Sequence, residues 1–157
     1  MASYVDRLED NLKRKAEVLE EIYVSDTRFL ERFDVNSSDL DQYDDYLVEQ
    51  NSYLDMLDEL DTEYDEIFAY LSEHPTEVNV SSSVKKNSIN TLAKNIEGKI
   101  QAVNSIEAKI KAVTDDFFAK RKTETNGYRR VARVIQNHYR PNPGVFSEEN
   151  TMFDVSN

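Results

Sequence analysis

Apolar residues return every third or fourth position through three long stretches of this chain, and little interrupts them. Val5, Leu8, Leu12, Leu19, Ile22, Phe29 and Phe33 keep that spacing in the first stretch. Leu40, Tyr43, Leu47, Leu54, Leu57, Tyr64, Phe68 and Leu71 keep it in the second. Ile89, Leu92, Ile96, Val103, Ile106, Ile110, Val113 and Phe117 keep it in the third. Such a repeat draws one apolar seam down an α-helix, the pattern of helices that pack lengthwise. Three glycines and three prolines in 157 residues leave few of the turns that a β-rich or α/β fold needs. The reading is all-α: an antiparallel three-helix coiled-coil bundle, with helices over about 4–33, 39–73 and 84–139.

The breaks have their own chemistry. In Asp34 to Asp39, DVNSSD, Ser38 is the expected cap of the second helix, with Asp41 three residues on. Pro75 after His74 stops that helix. Residues 75–83, PTEVNVSSS, form the second link, and its serines offer caps to the third helix. At 1.5 Å per residue the three helices span about 45, 50 and 84 Å. The third should therefore overhang the others. Its seam falls on Lys120, Glu124 and Gly127, where the apolar pattern fails and Gly127 marks either a kink or a place where the helix leaves its partners, and apolar residues then return. A stripe of Tyr128, Val131, Ile135 and Tyr139 would be uncovered in a monomer, and these four are the expected partner-binding residues. Pro141 and Pro143 end the helix. Residues 1–140 read as one elongated helical domain, and 141–157 as a flexible tail or short docking segment with Phe146 and Met152-Phe153 as apolar islands.

The seam carries five polar interruptions: Lys15, Asp26, Gln50, Asp61 and Lys99. Polar seam residues fix register, or they mark a core that rearranges around a partner. Asp61 is expected either to pair with a lysine of the long helix or to sit where the seam opens. Tyr46, Tyr53, Leu60 and Ile67 form a second stripe beside the seam, read as core against a second neighbour or as the lining of a partner groove.

The composition closes off most chemistry. Leu57 to Phe68, LDELDTEYDEIF, holds six carboxylates in twelve positions, but on a helix face rather than in a concave site that could set two of them to different tasks. A calcium loop needs glycine, and helical di-iron sites need Glu-x-x-His pairs that His74 and His138 do not supply. The stretch reads as the solvated back of the second helix. The absence of cysteine removes disulfides and zinc thiolates. No phosphate loop or nucleophile motif occurs, so the chain reads as a non-enzyme with no cofactor and no metal. No apolar run approaches the roughly 20 residues of a membrane span, and MASYVDRLEDN lacks the pattern of a signal peptide, so the expectation is cytoplasmic. The net charge of -12 is uneven: residues 1–80 carry 23 acids and 6 bases, residues 81–157 carry 8 acids and 13 bases. The acidic half disfavours nucleic acid, while the basic end, Lys120 to Lys122 with Arg129, Arg130, Arg133 and Arg140, keeps a weak nucleic-acid or membrane-surface role as an alternative.

A helix opening with LEDNLKRKAEVLEEI, a second ending in LDELDTEYDEIF, a long third helix and an ending MFDVSN together resemble the FlgN-like flagellar export chaperones. Leu60-Asp61 followed by Tyr64 is the best-matching piece; Glu63 stands where glycine is expected, and Val155-Ser156-Asn157 where lysines are. The FliT-like class, which serves the filament cap, is the second choice. The resemblance implies a small, acidic, cytoplasmic helical protein of type III secretion. Such a protein binds and masks the helical termini of hook–filament junction proteins (the hook-associated proteins) and brings them to the export apparatus. It implies that client contacts lie toward the end of the long helix, at Tyr128, Val131, Ile135 and Tyr139. The competing reading from the residues is a homodimeric coiled-coil spacer or adaptor, whose long helix pairs with itself.

Overall fold

The computed structural model describes residues 3–121. They are all-helical, about 90% helix with no strand, and four helices pack against one another. Helix α1 spans Tyr4–Arg32, α2 Leu40–Glu73, α3 Pro75–Asn79 and α4 Ser83–Arg121. The first two match the expected spans to within a residue. The short α3 lies in what the sequence reads as a plain link. Its reason is local: Pro75 occupies the first helical turn, where a missing N–H costs nothing, and Val78 is buried against the main core. The expected third helix corresponds to α4 as far as Arg121. Its stretch to Tyr139, Gly127 and the tail lie outside the described residues.

The start of α2 corrects the capping expectation. Asp39, not Ser38, is the N-cap: its carboxylate accepts from the Gln42 N–H at 3.1 Å, and the Gln42 side chain accepts from the Asp39 N–H at 3.0 Å. This is a reciprocal capping box with the usual Gln at its third position. The Ser38 hydroxyl turns back instead and accepts from the Asp34 N–H at 2.8 Å, which tightens the α1–α2 connection. Helix α1 is capped by Ser3, whose hydroxyl accepts from the Asp6 N–H.

Helix α1 is the central element, with α2 and α4 both packed along it. Every apolar seam residue expected on α1 is buried. Leu8, Leu12, Leu19 and Ile22 meet Leu54, Leu57 and Ile67 of α2 and Ile89, Ile96 and Val103 of α4 in one core. Each such side chain contributes about 1.5–3 kcal/mol by leaving water. A second, aromatic core closes the other end, where Phe29 and Phe33 of α1 meet Tyr43 and Tyr46 of α2 and Phe117 and Phe118 of α4. The Phe33 and Phe117 rings meet edge-on at 4.9 Å, and Tyr43 meets Phe118 at 5.1 Å. Leu40, expected on the seam, is exposed, because the first turn of α2 lies beyond this aromatic layer.

Polar contacts record how the helices align. Along α1, Asn11, Lys15, Ser25 and Asp26 meet Glu63, Asp61, Gln50 and Tyr46 of α2, so numbers fall on α2 as they rise on α1. Toward α4, Asp6 and Glu9 meet Lys85, Glu20 meets Lys99 and Phe33 meets Phe117, so numbers rise together. The end of α4 is fastened to the α1–α2 connection. Arg121 donates to the Val35 carbonyl at 2.7 Å and to the Ser38 carbonyl at 2.6 Å, with its guanidinium over the Phe117 ring. Among the described residues, no helix is long and apolar enough to cross a membrane.

Candidate functional site

The four residues expected to bind a partner, Tyr128, Val131, Ile135 and Tyr139, lie outside the described residues. The last described residue, Arg121, is bonded to the loop that joins α1 and α2. Both seams of α1 and α2 end at this level, in the aromatic core.

The polar interruptions resolve into three layers. Nearest the N-terminus of α1, Lys15 and Asp61 form an ion pair at 2.7 Å, with the Lys15 ammonium also 5.0 Å from the Tyr64 ring centroid. The lysine that meets Asp61 in this pair thus comes from α1 and not from the long helix. Lys99 of α4 pairs with Glu20 of α1 at 2.7 Å. Asn11, a residue the periodicity does not single out, is buried and donates both to the Leu60 carbonyl and to Glu63, each at 2.9 Å.

The third layer is the most unusual. Asp26 is fully buried, and the Tyr46 hydroxyl donates to its Oδ1 at 2.6 Å. Glu107 of α4 stands within hydrogen-bonding reach of the same carboxyl group. Burial pushes both carboxyl groups above the usual range, and the charge of Asp26 raises Glu107 further. Burial first, and then the two carboxyl groups, push the Tyr46 phenol well up, so it remains a donor. Beside them Gln50, also fully buried, donates to Ser25 at 3.3 Å. The sequence marks Asp26 and Gln50 as polar seam residues and places Tyr46 on the second stripe. It gives no sign of Glu107, which sits one position past the seam residue Ile106.

An open cleft of about 280 Å³ adjoins this layer between α1 and α2. Phe29, Phe33 and Tyr46 contribute its apolar surface, Arg28 and Arg32 stand on the α1 side, and Asp45 and Glu49 on the α2 side. The Phe29 and Tyr46 rings stack at 4.1 Å. Tyr46 is therefore a core residue that also lines the cleft.

In the acidic stretch, Asp58, Glu59, Asp65 and Glu66 are exposed, while Asp61 and Glu63 are held by Lys15 and Asn11. Among the described residues, no three His, Asp or Glu side chains are grouped so as to hold a metal ion. Set against family models, curated proteins and solved structures, the chain matches none.

Proposed function

We propose that this chain is an interaction protein that covers a helix of another protein: a cytoplasmic flagellar export chaperone of the FlgN-like kind. In this reading it masks the helical termini of hook–filament junction proteins until secretion. One observation carries the reading. The Arg121 bonds to Val35 and Ser38 mark the end of the surface that α1 and α2 offer to α4, and the stripe Tyr128, Val131, Ile135 and Tyr139 follows beyond it in sequence. In this reading the stripe continues the spacing of α4 past that point, and a client helix is the partner we propose for it. The proposed framework is the antiparallel three-helix coiled coil, supported by the falling order of α1–α2 contacts and the rising order of α1–α4 contacts.

The test compares the wild type with a Val131→Asp, Ile135→Asp double variant in pull-downs from the native cytoplasm, followed by titration with the captured protein. Capture of a hook–filament junction protein, weakened about tenfold or more in the variant with an unchanged melting curve, supports the proposal. Self-association alone would replace it with the homodimeric spacer. Collapse of the variant's fold would assign the stripe to the core.

A further inference from the structure

Asp26 of α1, Tyr46 of α2 and Glu107 of α4 tie the three long helices together at one level. Oδ2 of Asp26 and Oε1 of Glu107 are both shut off from solvent, and neither receives an N–H or O–H from the described residues. The two carboxyl groups are nevertheless within hydrogen-bonding reach of each other. Two ionised carboxylates cannot satisfy one another, whereas a carboxylic acid and a carboxylate can. We infer that this trio is a proton-held clasp: one proton shared by Asp26 and Glu107 fastens α4 to α1 and α2, and its loss loosens α4 at that level.

The surroundings favour keeping that proton. Among the described residues, no cation acts on either carboxyl group. From α2 the pair faces Tyr46 and Glu49, and the charge of Glu49 adds to the repulsion; Tyr43 lies behind Tyr46. On α1, Arg28 is directed to Glu49 at 3.9 Å. On α4, Lys111, one turn beyond Glu107, is 3.1 Å from Asp115. Both carboxyl groups have folded-state values raised above the unfolded ones, so the folded chain holds the extra proton. The stabilisation is complete below the ordinary carboxylate range and is lost as pH rises through the raised values. Tyr46 also lines the cleft between α1 and α2, so the loosening reaches the surface there.

The inference does not rest on the identity of any client. Its test follows amide hydrogen exchange in α4 from Val103 to Ile110 in the full chain, between about pH 5 and pH 9, corrected for intrinsic exchange. The wild type should lose protection about tenfold or more as pH rises, while Glu107→Gln, whose amide donates to Asp26 at every pH, should change less than about twofold. An equal loss in both overturns the clasp. Carboxyl carbon NMR of the wild type gives a second reading independent of the variant's folding. A protonated side-chain carboxyl at neutral pH, assigned to this pair, supports the clasp; two ionised carboxylates there overturn it.

Discussion

Asn11 shows how a buried polar side chain fixes the level at which two helices meet. Its amide bridges a main-chain carbonyl and a carboxylate of α2, so a slip of one turn would strand it. Asn11→Ala should destabilise the chain by about 1–2 kcal/mol, read as a shift of the urea midpoint at constant slope. Lys15 offers the contrast, because its partner Asp61 is 45% exposed and water screens the pair. These residues also mark what the sequence yields at this scale. Periodicity identified Lys15, Asp26, Gln50 and Asp61 as seam positions, since that needs only counting along one helix. It could not say that Asp61 meets Lys15 or that Asp26 meets Glu107. Those pairings depend on the levels of different helices, which no single helix encodes.

Helix boundaries were legible to a residue where proline or an apolar seam set them, and less so where side chains compete to cap. In DVNSSDL, Ser38, Asp39 and Ser37 are all capable caps, and the choice falls to Asp39 because Gln42 can answer it. Asp39→Ala should cost about 1 kcal/mol in thermal unfolding. Asp41→Ala, which removes only a favourable charge from the first turn, should cost a few tenths of that. Equal losses in the two variants would refute the capping box. Helix α2 has a second property at this scale: twelve Asp and Glu and not one Lys or Arg. Its cations are borrowed from α1, through Lys15 and Arg28.

The molecule as a whole is organised about α1, and its two cores make that arrangement cooperative. Leu54→Asp places a charge at a site 4% exposed, between Leu and Ile neighbours from all three long helices. It should cost several kcal/mol and abolish cooperative melting. An unchanged melting curve would refute the core described here. The all-helical fold was readable because one repeat ran through all three segments. The carboxyl layer was not, because Glu107 lies beside the seam and enters the interior only through the turn of α4.

The central place of α1 sets an order of events during synthesis. Helix α1 is made before the others, yet α4, one of its two long neighbours, is made only after α2 and α3. Between Glu73 and the last core residue, Phe118, the ribosome adds about 45 residues, which at 5–20 residues per second takes roughly 2–9 s. For that interval the Phe33 ring and its neighbours lack the aromatic lid that Phe117 and Phe118 supply. Residues 1–80, with 23 acids against 6 bases, are the part already emerged. Like charge on neighbouring nascent chains keeps them from associating through the unfinished face. Until α4 arrives, the acidic surface of α2 sets like charge against like between neighbouring half-built cores.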